Sequence, residues 1–271
     1  METPTLQHYT FQGKGELANI IDDTITYSVL CQILAYQCTD VFTNGTSVII
    51  CYSNAPYPVW VWCKRPFDMQ DVQAIAHTLK DHYVAKGDYR FIISEHLLAE
   101  LAKVKNVFGS LHTNMQLLSY ELTQINSIDR KCNGQMQKAT MEQVDQLALL
   151  YKDAGLEMED HDYSIEHSKN VVTNFIQNDK LYVWMNNNQI VATVGATIDG
   201  EFARIGFVYT LPSQRRKGYA INLVHGFSQL LIDAGFKPIL YTNGGYVASN
   251  ECYKKIGYQQ IGKLVDVENK G

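Results

Sequence analysis

Apolar and polar positions recur with two distinct periods along the C-terminal half of the chain, and the switches between them predict its elements. Val144, Leu147, Ala148 and Tyr151 follow helical spacing behind Thr140 and Gln143, which have the spacing of a capping box, and Gly155 is expected to end that helix. Ser164 opens a second helix with Ile165, Val172, Phe175 and Ile176 facing inward. A predicted strand from Lys180 to Met185 turns at Asn186-Asn187-Asn188 into a strand from Ile190 to Ile198. Asp199-Gly200, both tolerant of positive φ, then leads into a strand from Phe202 to Thr210. A helix from Arg216 to Ala234 buries Ile221, Val224, Phe227 and Leu231, with Gly235 just past its end. A strand Ile239 to Asn243, a helix Ser249 to Ile256 closed by Gly257, and a strand Tyr258 to Val267 complete the order β-α-α-β-β-β-α-β-α-β.

The N-terminal half has a weaker pattern. Val48 to Tyr52 and Val59 to Trp62 read as a strand pair, with Trp60 and Trp62 on a core face or, as the alternative, lining an acceptor pocket. Val72, Ile75, Ala76, Leu79 and Tyr83 share one face of a helix between Asp68 and Ala85. Tyr89 to Ile93 reads as a strand, Ser94 as the cap of a helix through Val104, and Met115 to Leu122 as a further strand. No internal repeat of fixed period is visible. The polar, aperiodic run from Thr123 to Gln135 reads as a linker. The expected organisation is a divergent mixed α/β domain over 1–125, a linker over 126–134 and a second domain over 135–271.

Bulk properties narrow the function classes. With 271 residues, 46% hydrophobic and 19% charged, the chain can build two soluble domains with sizeable cores. A formal net charge of -5 argues against a nucleic-acid or anionic-membrane partner. Cys31, Cys38, Cys51, Cys63, Cys132 and Cys252 show no Cys-x-x-Cys pair and no zinc spacing, so they read as reduced thiols, with no metal expected. The start of the chain lacks a signal-peptide pattern, and the apolar run Thr26 to Cys38 is too short to span a bilayer. A cytoplasmic location is expected. Gly13-Lys14-Gly15 and Gly257 to Leu264 each fail the nucleotide-loop patterns they approach.

One stretch carries chemistry. After Val208-Tyr209-Thr210-Leu211-Pro212-Ser213-Gln214 come Arg215-Arg216-Lys217-Gly218-Tyr219-Ala220, where a strand ends and a helix begins. A helix start leaves backbone N–H groups unpaired and carries roughly half a positive charge. Gly218 admits a bulky anion close to the backbone, and three cationic side chains stand beside it. This is a pyrophosphate site by physics alone.

The run resembles the signature of the GNAT superfamily of N-acetyltransferases, Arg/Gln-x-x-Gly-x-Gly/Ala at the start of the helix after the fourth strand. A second likeness lies in Leu240-Tyr241-Thr242-Asn243 and in Ala248-Ser249-Asn250-Glu251-Cys252-Tyr253 through Tyr258. Together these cover roughly Gln135 to Val267. They look most like a bacterial subgroup whose N-terminal half is divergent, in some members a decayed copy of the fold. The resemblance implies an α/β (α+β) GNAT acyltransferase fold and acetyl-CoA as co-substrate. Phe207, Val208, Tyr209 and Thr210 would pair with the pantetheine arm. Arg215, Arg216, Lys217, Gly218, Tyr219 and Ala220 would hold the pyrophosphate, with Asn243, Asn250 and Tyr253 also facing the cofactor.

For the chemistry, Tyr253 is the expected acid for the leaving thiolate. Glu201 is a weak candidate base, with Tyr209 and a bound water as competitors. The expected activity is N-acetyl transfer to a primary amine of a small molecule by a monomer or homodimer. The N-terminal half is expected to shape the acceptor site rather than bind a second CoA. A silent acyl-CoA sensor, or a transferase using a longer acyl group or an amino-acid acceptor, are the alternatives.

Overall fold

The computed structural model describes residues 5–10, 15–36, 40–87, 89–105, 107–129, 132–159 and 161–270. Cys38, Gly13-Lys14 and the linker residues Arg130 and Lys131 lie outside them. In chain order the first run contains β1 (Gln7–Thr10), α1 (Gly15–Ala18), α2 (Ser28–Tyr36), β2 (Asp40–Thr43), β3 (Val48–Tyr52), β4 (Val59–Cys63), α3 (Met69–His82), β5 (Arg90–Ser94), α4 (Glu95–Leu101) and β6 (Ser110–Glu121). The second contains β7 (Gln135–Lys138), α5 (Val144–Glu159), α6 (Ile165–Gln177), β8 (Leu181–Asn186), β9 (Gln189–Asp199), β10 (Phe202–Thr210), α7 (Tyr219–Asp233), β11 (Lys237–Asn243), α8 (Val247–Ile256) and β12 (Gln259–Lys270).

The two runs follow one plan. Each has a strand, two helices, three strands, a helix, a strand, a helix and a strand. In both, the three central strands form an antiparallel meander, β2-β3-β4 and β8-β9-β10, and the third is joined in parallel to the next strand, β5 or β11. The repeat is invisible as sequence periodicity because it is conserved only as a succession of elements.

Compact units are drawn differently from the 1–125, 126–134 and 135–271 division. One unit comprises Met1–Ser119, Asn243–Gly245 and Ile261–Gly271, and the other Tyr120–Thr242 and Tyr246–Gln260. In the first, β12 pairs antiparallel with β5, Val267 opposite Phe91 and Leu264 opposite Ser94. Apolar residues of β3, β4 and β5 fill both sides of this sheet: Val48, Ile50, Val59 and Phe91 pack against α3, while Ile49, Trp60, Trp62 and Ile92 pack against α2. Asp266 of β12, fully buried, is held by Arg90 and by the Asn114 amide at 3.1 Å.

In the second unit the sheet order is β7-β8-β9-β10-β11. The hairpin between β8 and β9 uses Asn187 and Asn188, both at positive φ, and that between β9 and β10 uses Gly200-Glu201. Thr140 and Gln143 form the capping box, followed by a 3-10 turn before α5. Helix α5 does not stop at Gly155 but runs on to Glu159. Glycine is required there for space rather than for a turn, because the Tyr163 ring lies 2.4 Å from where a Cβ would stand.

The segment read as a linker is anchored at several points. Leu122 N–H donates to the Pro238 carbonyl at 3.0 Å, Asn126 N–H to the Ile256 carbonyl at 2.8 Å, and the Trp184 indole to the Asn133 carbonyl at 2.9 Å. Gly257 ends α8 at φ 117, and a Cβ there would stand 2.2 Å from the Gln124 carbonyl oxygen. Replacing Gly257 with alanine forces both a left-handed backbone and a clash. Gly257→Ala should cost about 2–4 kcal/mol in chemical denaturation. An unshifted transition would refute the packing of 122–126 against α8.

Candidate active site

The site begins with a break in β10. From Phe202 to Ile205 the strand is paired on both sides, antiparallel to β9 and parallel to β11. The parallel register ends at Ile205 opposite Leu240, although β10 continues to Thr210 and β11 to Asn243. On the other side the register slips between Gly206 and Tyr209, a β-bulge that passes over Val208. Phe207 takes a positive φ of 47 there, a conformation that costs a bulky side chain about 1–3 kcal/mol. The buried Thr193 hydroxyl holds it by donating to the Phe207 carbonyl at 3.0 Å. The strand edge is thereby opened beside Val208.

The loop after β10 turns through a short 3-10 segment, Pro212–Gln214, into Arg216 at φ 65 and Gly218 at φ 93. Alternating hand along such a loop turns successive N–H groups toward a common centre, an anion-binding nest. Gly218 is the N-cap of α7 and brings no capping side chain, so the first amides of that helix stay unpaired within it. Helix α8 begins in the same manner, with Tyr246 as N-cap and no side-chain cap bond.

Both helix starts line one cavity of about 740 Å³, with Gly218 to Ile221 on one wall and Tyr246 to Ser249 on another. Val208, Tyr209 and Thr210 line a third, and Glu157 and Met158 from the end of α5 close it. Two helix N-termini on one cavity make its field positive, the sign a polyphosphate needs. The Thr210 hydroxyl oxygen is buried there without a hydrogen-bond partner.

Of the residues expected at the site, Val208, Tyr209, Thr210, Arg215, Arg216, Gly218, Tyr219, Ala220 and Tyr253 line the cavity. Others do not. The Phe207 ring packs edge-on against Tyr151 at 5.0 Å. The Lys217 ammonium donates to Gln214 at 2.8 Å. The Asn243 side-chain oxygen accepts from Gly245 N–H at 2.8 Å. Asn250 is buried and structural: its oxygen accepts from the Tyr120 hydroxyl at 3.0 Å and its amide donates to the Tyr246 carbonyl at 2.9 Å, which fixes the start of α8.

Glu201 does not enter the site. It sits in the hairpin turn before β10, ion-paired with Lys237 at 2.9 Å on the surface. The length of β10, roughly 25–30 Å at about 3.3 Å per residue, separates it from the cavity end. A carboxylate at the far end of a rigid strand cannot take a proton from a nitrogen at this one.

The carboxylate that does line the cavity is Glu157. It accepts from the Arg215 guanidinium at 2.6 Å and from the Tyr209 hydroxyl at 3.5 Å. Arg215 holds it below the usual carboxylate range. Reading Gly155 as a helix stop placed Glu157 in a loop and hid it. No sequence signal marks it, because Gly155 reads as a stop until the packing of the Tyr163 ring is known.

Tyr253 sits in the second turn of α8, almost fully buried, with its ring near those of Tyr120 and Tyr258. Burial first, then Cys252, pushes its phenol well above the ordinary tyrosine value. Among the described residues no hydrogen bond is made by its hydroxyl, no group of three or more potential ligands could hold a metal ion, and no helix is long and apolar enough to cross a membrane.

Residues 183–267 match the model of the family described as FR47-like protein. Solved structures share the fold along nearly the whole chain. A GCN5-related N-acetyltransferase from Sphaerobacter thermophilus superposes with a TM-score of 0.71 at 11% identity, over 97% of this chain and 96% of its own. An acetyltransferase of the GNAT family from Colwellia psychrerythraea gives 0.66 at 13% identity, over 97% and 100%. A Drosophila protein gives 0.64 at 10% identity, over 98% of both chains. No curated protein matches the sequence. Motif, bulged strand, fold and family model agree: residues 183–267 are FR47-like, and the chain has the fold of GNAT-family acetyltransferases.

Proposed function

We propose that this protein transfers an acyl group from acyl-CoA, with acetyl-CoA as the donor, to the primary amine of a small molecule. The observation that carries this reading is the convergence of two uncapped helix starts and an opened strand edge on one cavity. The residues fit the donor. Amides from Arg216 to Ala220 suit a pyrophosphate, and the edge at Val208 to Thr210 suits a pantetheine arm that pairs as an extra strand. The orphaned Thr210 hydroxyl offers that arm a hydrogen bond.

Bound there, the donor supplies an activated thioester, and the chain has to position it, exclude water and manage protons. An N–H at the bulge beside Val208 suits the developing oxyanion. The amine nitrogen attacks the carbonyl carbon, the C–S bond breaks, and the leaving sulfur needs a proton. Tyr253 can give one, since burial keeps its phenol fully protonated at working pH. The same burial makes it a weaker acid, with an ordinary phenol near ~10 already above a thiol near ~8.5. A thiolate leaving inside the same dry cavity gains proton affinity for the same reason, which narrows the mismatch.

A single donor site per chain follows from a contrast between the two runs. At the helix start of the first run, after β4, the place of Gly218 is taken by Asp68, whose carboxylate caps α3 by accepting from Gln70 N–H at 2.8 Å. A carboxylate in that position repels phosphate and uses the amide a phosphate would need.

Calorimetry with CoA should therefore give one site per chain, and saturating CoA should raise Tm, by an amount equivalent to about 2.7 kcal/mol at a hundredfold excess over Kd. Gly218→Asp should lose both signals while staying folded. Binding that survives this substitution, or a second site, would overturn the assignment of the loop. Tyr253→Phe should keep CoA affinity and lower kcat by roughly 10²–10⁴-fold against an amine panel, the range for a lost general acid. Equal turnover would make Tyr253 a packing residue only.

A further inference from the structure

Arg215 stands at the head of the run whose amides line the cavity, yet its guanidinium is engaged by groups of the chain itself. Nη2 donates to Glu157 at 2.6 Å, Nε donates to the Thr210 carbonyl at 3.1 Å, and the group lies over the Tyr209 ring at 5.6 Å. Glu157 is held in turn by the Tyr209 hydroxyl and, through its backbone carbonyl, by the Tyr246 hydroxyl at 3.2 Å. Three elements, α5, β10 and the start of α8, thus meet at one ion pair on the cavity wall.

The pair is weak. Its side chains are 40% and 45% exposed, and such pairs contribute only a severalfold factor to an equilibrium. A ligand with several phosphate charges in the nest competes for the same guanidinium, and Arg forms its strongest charge-assisted bonds with phosphate oxygens.

We propose that the Arg215–Glu157 pair is a latch between the two halves of the reaction, in which the phosphates of the donor draw Arg215 away and uncover the Glu157 carboxylate as the group that meets the acceptor nitrogen. The proposal rests on the acyl-CoA reading above and deepens it. In the free protein Glu157 is occupied, so a cationic or amine acceptor finds its anchor only after the donor has bound. The order of binding, donor first, is built into one salt bridge. Such coupling is reciprocal, so Glu157 opposes donor binding by the same factor by which the donor uncovers Glu157.

The groups facing Glu157 define the titration that reports on it. They are Arg215, Tyr209 and Tyr246, with Asp153 one turn back on α5 acting on Tyr209, while Glu251 and Lys255 of α8 also line the cavity. The Arg215 bond lowers the Glu157 midpoint, so the pair is present at neutral pH and is lost as pH falls through that lowered midpoint. Losing Arg215 to the donor returns the midpoint upward, toward the ordinary value near ~4.3.

The test uses CoA as probe, calorimetry for affinity and carboxyl NMR for Glu157. E157Q should bind CoA about three- to fivefold tighter, the factor that a surface ion pair supplies. R215Q should bind about tenfold weaker, and adding E157Q to R215Q should change nothing further. In the wild-type protein, saturating CoA should move the Glu157 midpoint upward, a readout that does not depend on any variant folding. Unchanged affinity in E157Q, equal tightening in the R215Q background, or a midpoint indifferent to CoA each overturns the latch while leaving the acyl-CoA reading intact. Absence of CoA binding to the wild-type protein overturns that reading and the latch together.

Discussion

The end of the parallel pairing between β10 and β11 is the constraint from which the site follows. Two strands that stayed paired to their ends would leave no unsatisfied edge and no cleft. Here pairing stops at Ile205 and Leu240, and the bulge at Phe207 redirects the rest of β10. The conformational cost at Phe207 is met by a buried hydrogen bond from Thr193, so the opening is part of the rigid sheet rather than a mobile loop. Apart from Glu157 and Met158 of α5, what lines the cavity is delivered by β10 itself and by elements that start at this break: the 3-10 turn and α7 after β10, and α8 after β11.

Electrostatics finishes what the backbone begins. Helices α7 and α8 both start without a capping side chain, an arrangement that leaves stabilisation unused in the free protein. Helix α3 shows the opposite choice, with Asp68 satisfying the helix start internally. The two runs of one architectural plan thus contrast at this helix start: α7 has no side-chain cap, and α3 has one. The carboxylate at Glu157 tempers the positive end of the cavity, and its pairing with Arg215 keeps a concentrated cationic site from standing bare in water.

Much of this was legible in the sequence, for identifiable reasons. The helices and strands of the second run carried strong periodicity and unambiguous punctuation at Thr140, Ser164, Gly218, Gly235 and Gly257, and each of these does the structural work its type implies. The nest at Arg216 to Ala220 was visible because glycine and cations at a helix start have few other uses. What was not legible depended on the third dimension. Asn250 reads like a ligand in its motif, but its hydrogen bonds are decided by Tyr120, far away in sequence. Gly155 reads like a stop, and only the Tyr163 ring explains why it is not. Glu201 and Glu157 are indistinguishable as isolated acids, and the direction of β10 and the length of α5 separate them. The shared plan of the two runs left no trace in residue identities, since many different apolar residues can fill the same architectural position.

The placement of β12 bears on how the chain is made. This strand, the last of the second run, lies between β5 and β6 in the interior of the first unit's sheet. The ribosome releases β1 to β6 long before it, yet until β12 arrives β5 has an open edge and Arg90 lacks its buried partner Asp266. At ~5–20 residues per second that wait is roughly 7–30 s. The nascent N-terminal unit therefore spends this time as an unfinished sheet with an exposed, strongly apolar strand edge, Phe91 to Ile93, the kind of surface that holding chaperones engage. Its completion therefore waits for β12 rather than resting on the contacts of β1 to β6 alone.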